Sequence, residues 1–163
     1  MTPFTPLKEF EAVTSILSKI SLFGGVTDAQ RNDLLARLDY ATFQEGEYVF
    51  RAGDEPTHIY IVKQGKVEVR LSADEVEVEK IELSVGACFG AVSLMSMHKH
   101  TSSALVTEPC EIVALSRHAL IGLQQQHITL FALLMMNVAR ELARRLVMTD
   151  DLFLLYSRKA GKG

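Results

Sequence analysis

Apolar residues follow a helical period at both ends of the chain and a strand period between them. Near the start, apolar residues three or four apart stop at the pair Gly24-Gly25, which predicts a short amphipathic helix. Thr27 and Gln30 have the spacing of a capping box, before a second helix that we expect to end near Asp39. The predicted buried faces are Val13, Ile16, Leu17 and Ile20 in the first helix and Leu34, Leu35 and Leu38 in the second.

From residue 40 to residue 115, short apolar and β-branched runs alternate with turns. Val67, Val69 and Leu71 alternate with charged residues, which predicts a strand with one buried and one solvated face. The apolar phase slips before Ile81, as a β-bulge would cause. Such short runs favour a closed roll or sandwich, with strands expected over residues 41–43, 48–50, 58–62, 66–71, 76–83, 101–107 and 111–115.

The helical period returns after Ser116, a suitable N-cap for a helix through Leu123, and a longer helix is predicted from Ile128. One apolar stripe runs along this long helix and continues towards its end. The stripe is more apolar surface than one roll covers, so we expect a parallel homodimer, or another regulatory protein, to bind it. The predicted interface residues are Phe131, Met135, Val138, Leu142 and Leu146.

Composition narrows the class of protein. The chain has 163 residues, of which 48% are hydrophobic, enough for one domain with its own core. Its 17 Lys and Arg against 20 Asp and Glu give a net charge of −3, which argues against direct binding of nucleic acid. We find no run long enough to span a bilayer and no signal peptide. We therefore expect a cytoplasmic protein, away from membranes, with Cys88 and Cys110 as reduced, buried thiols.

The turn motifs, taken in order, resemble the cyclic nucleotide-binding domain family, and in particular the sensory half of catabolite-activator-type regulators. The resemblance covers about residues 20–148. The motifs that carry it are Phe23-Gly24-Gly25-Val26, the Leu34-Leu35 helix, Glu45-Gly46-Glu47-Tyr48-Val49-Phe50, Gly53-Asp54, Ile59-Tyr60-Ile61-Val62, Gly65-Lys66-Val67-Glu68-Val69 and Gly86-Ala87-Cys88-Phe89-Gly90.

This resemblance implies a mainly β fold: an eight-stranded, jelly-roll-like β-roll with N-terminal helices and a long C-terminal helix. We expect a single domain over residues 1–157, with the roll at about 40–115 and the C-terminal helices at about 116–155. Residues 158–163 are expected to form a disordered tail.

The resemblance also implies a phosphate-binding cassette, with two departures from the family pattern. Ala91 stands where the family has the Glu that accepts a hydrogen bond from the ribose 2′-hydroxyl, and His100 stands where it has the Arg that pairs with the cyclic phosphate. The candidate ligand residues are Phe89, Gly90, Ala91, Val92, Ser93, His100, Thr101, Ser102 and Ser103.

These two departures predict a degenerate pocket. Ala91 offers no acceptor, and a histidine with an ordinary pKa of about 6.5 is mostly neutral at pH 7 and lacks the bidentate fork of arginine. Losing two charge-assisted contacts weakens binding by about 3–6 kcal/mol. We therefore expect a non-enzymatic regulatory module, with no cofactor beyond weakly bound cAMP, cGMP or another small anion.

Two alternatives remain open from the sequence. In the first, the protein is a working sensor of a cyclic nucleotide or other small anion, with His100 in place of the family arginine. In the second, His98 and His100 begin the metal site of a cupin-like enzyme. We find no third metal ligand at suitable spacing and no recognisable catalytic set, so neither a metal site nor catalytic residues are expected.

The number of residues that follow the long helix indicates how the protein passes on its signal. Transcription regulators of the family continue into a helix-turn-helix domain of roughly 70–80 residues. Only residues 149–163 follow Met148. We therefore expect no DNA-binding domain and an output through protein contacts.

Overall fold

The computed structural model describes residues 4–8, 13–14, 16, 19–73 and 76–160. The helices are a 3-10 turn at Ser21–Phe23, α1 at Asp28–Leu35, α2 at Ala91–Ser96, α3 at Arg117–Gln126 and α4 at Ile128–Ala160. The strands are β1 at Thr5–Pro6, β2 at Leu38–Phe43, β3 at Tyr48–Phe50, β4 at His58–Ala73, β5 at Val76–Leu83, β6 at Cys88–Phe89 and β7 at Ser103–Ser116.

The seven strands form one antiparallel sheet in the order β1-β2-β7-β4-β5, with β3 on β7 and β6 on β4. Strand β7 pairs with β2, β3 and β4, so it is the hub of the sheet. The sheet and its flanking helices confirm the predicted mainly β roll with a long C-terminal helix.

Both faces of the central strands are buried. Because side chains alternate along a strand, Ile59 and Ile61 of β4 face the helices, whereas Tyr60 and Val62 face the interior of the roll. The same alternation divides the residues of β7. The molecule therefore has two cores, one between the sheet and the helices and one inside the roll.

Two of the predicted strand breaks are bends within continuous strands. Gly65 lies inside β4 with φ +83°, and a Cβ there would lie 2.2 Å from the Pro109 carbonyl oxygen of β7. The pairing of β4 with β7 shifts register around this point. The chain therefore bulges at Gly65 and Pro109 instead of turning. These two mergers reduce the seven strands of the sequence pattern to five, and the short strands β1 and β6 bring the described residues to seven strands, where the resemblance implied eight. The predicted bulge in β5 is present opposite Leu71 and Ser72.

The N-terminal helices differ from the prediction in one boundary. Thr27 and Gln30 form the expected capping box, with the Gln30 amide donating to Thr27 Oγ1 at 3.3 Å. The helix ends at Leu35, earlier than expected, because Leu38 pairs with Leu115 as the first residue of β2. Of the first predicted helix, Val13 and Ile20 are buried, and Leu17 lies outside the described residues.

The C-terminal helices begin as predicted. Ser116 caps α3, since its Oγ accepts a hydrogen bond from the Ala119 amide at 3.1 Å. Helix α4 runs to Ala160, past the expected start of the tail at residue 158, and residues 161–163 lie outside the described part. No helix in the described ranges is long and apolar enough to cross a bilayer.

Candidate functional site

The backbone of the predicted cassette is held close to β4. Gly90 joins β6 to α2 with φ +79°, and a Cβ there would lie 2.7 Å from Tyr60 Cδ2. Only glycine fits this combination of left-handed backbone and close approach. After α2 the chain returns along the Gly53-Asp54 turn, where the Gly53 amide donates to the His100 carbonyl at 2.7 Å and the His100 amide donates to the Asp54 carbonyl at 2.9 Å.

The cassette side chains do not converge on one cavity. Phe89 lies in the core inside the roll, and Val92 and Thr101 are exposed. Ser93 is buried, Ser102 is half-buried, and Ser103 accepts a hydrogen bond from the Ala52 amide at 2.9 Å.

Ala91 faces the helices. It belongs to the core between the sheet and the helices, and with Val138 and Glu141 of α4 it lines a void of only about 10 Å³. Ala91 therefore packs against α4 and leaves little free space around its methyl group.

His100 is buried inside the roll. Its ring is 3% exposed and stacks on Phe50, with centroids 3.7 Å apart and planes 9° from parallel. Burial lowers the pKa of His100, and the Asp54 carboxylate opposes that effect only in part. Nε2 has no hydrogen-bond partner among the described residues. At neutral pH the His100 ring is therefore uncharged.

Aromatic rings fill the space next to His100. Phe50 lies 5.5 Å from Tyr60 and 6.0 Å from Phe89, and Tyr60 lies 5.3 Å from Phe89, all between ring centroids. Phe89 is a site residue that the sequence predicted, whereas Phe50 and Tyr60 were not predicted as site residues. Their apolar alternation in β3 and β4 was the only available signal, and it does not reveal which ring stacks on His100.

A cavity of about 590 Å³ lies beside the predicted cassette. It is lined by β3 and the turn that follows it, including Tyr48, Arg51 and Asp54. The nine predicted ligand residues, all within the described part, are absent from its lining. The cavity still borders the cassette, because its lining includes Phe50, which stacks on His100, and Asp54, whose carbonyl accepts a hydrogen bond from the His100 amide.

The two histidines proposed as metal ligands point to different environments. His98 is exposed and its Nδ1 lies 2.7 Å from the Ser96 carbonyl oxygen, whereas His100 is buried. In the described ranges no group of three His, Cys, Asp or Glu side chains could hold a metal ion. Cys88 and Cys110 are buried free thiols, and burial raises the pKa of Cys88 to about 12.

The predicted interface stripe lies mostly against the protein's own roll. Val138 is 4% exposed in the core, and Phe131, Met135 and Leu142 pack on that core. Leu146 differs, since it is 63% exposed. Among the described side chains of α4, the large apolar residues that are exposed are Ile128, Met136, Leu146, Val147, Met148, Phe153 and Leu154.

Comparisons with known proteins agree with this geometry. The sequence profile of the cyclic nucleotide-binding domain family matches residues 40–127. Among curated proteins, the chain is 37% identical to the dog (Canis lupus familiaris) cyclic nucleotide-gated channel beta-3 over 82 residues, which is 50% of this chain and 10% of that protein. The chain thus spans about a tenth of the length of such channels.

Solved structures show the same fold. The catabolite activator protein of Thermus thermophilus matches with a TM-score of 0.75 and 28% identity, over 84% of this chain and 63% of that one. A cyclic nucleotide-binding domain from Methylobacillus flagellatus matches with a TM-score of 0.80 and 21% identity, over 94% of this chain and 87% of that one. The sheet, the cassette backbone and the matched profile together place the chain in the cyclic nucleotide-binding domain family.

Proposed function

We propose that this chain is a non-enzymatic regulatory module whose roll does not bind cAMP or cGMP in the family's usual way and whose output passes through a homodimer formed by α4. The regulatory character follows from the family. The observation that carries the degenerate pocket is the buried, uncharged His100 stacked on Phe50.

Charge supports the first part of the proposal. A cyclic phosphate needs a cation or several aligned donors when it leaves water. His100 presents a neutral ring because burial lowers its pKa. Its unpartnered Nε2 can make one hydrogen bond where an arginine makes two.

Space supports it independently. Phe50, Tyr60 and Phe89 pack against one another beside His100. Ala91 is turned towards α4 and has no acceptor for a ribose hydroxyl. A nucleotide phosphate placed at His100 would meet these rings without gaining the two contacts that the family pattern supplies.

The exposed end of α4 supports the dimer. A helix that leaves Leu146, Val147 and Phe153 in solvent has an apolar face that a second copy can cover.

The two buried free thiols, Cys88 and Cys110, fit the reducing cytoplasm in which we place this module.

Isothermal titration with cAMP and cGMP tests the pocket. We expect no binding tighter than about 100 µM, because the two missing contacts remove several kcal/mol. His100→Arg is the matched variant: it returns a guanidinium to the phosphate position. We expect cAMP at about 1 mM to raise the melting temperature of this variant and to leave that of the natural chain unchanged. Sub-micromolar binding by the natural chain would overturn the degenerate pocket.

A second candidate function is a sensor of small anions, and the unpartnered Nε2 of His100 favours it. An anion at Nε2 would bind the protonated ring, so its affinity should rise as the pH falls below about 6.5. His100→Ala should abolish this binding. Titration with inorganic phosphate above and below about pH 6.5 distinguishes this sensor from a module without a ligand. For such a module no heat of binding is expected on either side of that pH.

A further inference from the structure

A methionine-rich groove lies where α2, α3 and the start of α4 meet. It has a volume of about 250 Å³, and its lining includes Met95, Met97, Ile121, Phe131 and Met135. Met97 is 77% exposed and sits at the end of α2 with φ +58°. Methionine side chains adapt to irregular partners, so this groove can accept apolar side chains from another surface.

The groove lies in a part of the chain without acidic residues. Residues 83–107 and 112–140 contain no Asp or Glu, although the whole chain has a net charge of −3. The exposed Arg117 lines the groove. Lys99, in the loop after α2, is paired with Glu55 at 3.4 Å, so Arg117 supplies the positive charge of the groove. An occupant with acidic residues beside its apolar ones would therefore be complementary in charge.

The end of α4 has this chemistry. Leu146, Phe153 and Leu154 are exposed apolar residues, and Asp150 and Asp151 are exposed between them. An apolar segment with two carboxylates thus stands in solvent on the same chain as an apolar groove with an arginine.

One molecule cannot make this contact with itself. The groove is at the start of α4 near residue 133, and the acidic segment is centred near residue 150 of the same continuous helix. At 1.5 Å per residue the two sites lie about 25 Å apart. The segment that enters a groove must therefore come from a second copy.

The spacing along α4 decides the orientation of that copy. The exposed side of the helix carries small and apolar residues alternately three and four apart, as in a coiled-coil seam, with Asp150 among them. A parallel pair would set Asp150 against Asp150 of the second copy, where like charges repel. An antiparallel pair crossing near Glu141 instead brings each Asp150 to the acid-free first half of the other helix. The seam consists of Ala132, Met136, Ala139, Ala143, Leu146, Asp150 and Phe153.

We propose that two copies pair with their α4 helices antiparallel, and that residues 146–154 of each copy occupy the methionine-rich groove of the other. This inference rests on the homodimer of the proposed function and replaces the parallel pairing expected from the sequence. The contact is reciprocal, as a two-fold interface requires.

A charge exchange followed by analytical ultracentrifugation tests the pairing. Arg117→Glu, and separately Asp150→Arg with Asp151→Arg, should each raise the dissociation constant of the dimer about tenfold. Combining all three substitutions should return it to within about threefold of the natural value, because the charges are again opposite. Arg117→Gln controls for the hydrogen bond from Arg117 to the Pro56 carbonyl and should have an intermediate effect. A combined variant weaker than both parents would overturn the proposal.

Thiol cross-linking determines directly whether the two α4 helices are parallel or antiparallel. A chain with Gln124→Cys and Thr149→Cys should form covalent dimers with a short bifunctional maleimide, since one residue lines the groove and the other lies in the docking segment. Each single variant should not. Dimers of Thr149→Cys alone would indicate a parallel pair: the homodimer of the proposed function would stand and the groove assignment would fail. A natural chain that stays monomeric would overturn both and leave the groove to a different partner.

Discussion

The histidine at residue 100 contributes to the interior of the roll through packing as well as through its charge state. An arginine needs an anion or a carboxylate when it is buried. His100 instead packs as an aromatic residue on Phe50 and leaves one nitrogen without a described partner. The position has thus become part of the core, with a single polar atom left over.

This burial predicts how stability changes with pH. The pKa of His100 is lowered in the folded protein by burial, and so is that of His58, where Asp39 opposes the effect. The unfolded chain therefore binds more protons below about pH 6.5, and the free energy of unfolding should fall as the pH falls from there through the lowered folded-state values. Urea unfolding at about pH 7.5 and about pH 5.5 measures this slope.

His100→Phe should make that slope shallower, because phenylalanine keeps the stack on Phe50 and cannot titrate. The residual slope belongs partly to His58, so His58→Gln combined with His100→Phe should be shallower again. An unchanged slope in His100→Phe would show that the ring does not stay neutral in the folded protein.

Two glycines with the same backbone conformation differ in what surrounds them. A Cβ at Gly65 would lie 2.2 Å from the Pro109 carbonyl oxygen, whereas one at Gly46 would meet nothing within 4 Å among the described residues. Gly46→Ala should lower the free energy of unfolding by about 1–2 kcal/mol through backbone strain alone. Gly65→Ala should lower it by about 3 kcal/mol or more, since strand β7 must move as well. If chemical denaturation shows the same loss of unfolding free energy for both variants, the backbone at Gly65 can move to accommodate a Cβ at no additional cost.

Helix α4 shows what the apolar periodicity of a sequence can predict about a single element and what it cannot. The apolar stripe predicted the helix correctly, but one stripe can serve the roll of the same chain or a second copy, and only the structure shows that Val138 lies in the core. Leu38 raised a similar ambiguity, since its spacing from Leu34 and Leu35 fits a helix although it begins β2. The turn glycines and the capping box were predictable because their chemistry is local. The stack of His100 on Phe50 was not, because it depends on long-range strand pairing.

A leucine-to-alanine substitution is therefore expected to have different effects in the two halves of α4. Leu134 is buried in the core, and Leu146 is exposed beyond it. Leu134→Ala should lower the free energy of unfolding by about 2–5 kcal/mol because it leaves a cavity. Leu146→Ala should change the stability of the monomer by no more than about 0.5 kcal/mol and weaken the dimer instead. Thermal unfolding at low protein concentration, paired with sedimentation, measures both; a large loss of monomer stability in Leu146→Ala would place that residue in the monomer core.

At the scale of the whole molecule, the sheet and the far end of α4 should differ in how their stability depends on concentration. Residues 59–62 of β4 and 112–115 of β7 are buried on both faces, whereas the exposed residues of α4 beyond Leu146 are covered only if a second copy binds. Amides in residues 146–160 should exchange hydrogen quickly in dilute protein and slowly in concentrated protein, while those of β4 and β7 stay slow at both. If the protection of residues 146–160 from hydrogen exchange does not change with protein concentration, these residues are protected by contacts within one molecule.

The position of β7 as the hub of the sheet has a consequence for synthesis on the ribosome. Strand β2 pairs with β7 from Leu38 opposite Leu115 to Phe43 opposite Cys110, and β3 and β4 also pair with it. A nascent chain that has not yet released residue 116 from the exit tunnel therefore holds β2, β3 and β4 with open hydrogen-bonding edges. Pairings so distant in sequence form slowly, and exposed edges attract other chains. Assembly of the roll must then wait for β7, and the interval before its release is when this protein is most exposed to aggregation or to capture by a chaperone.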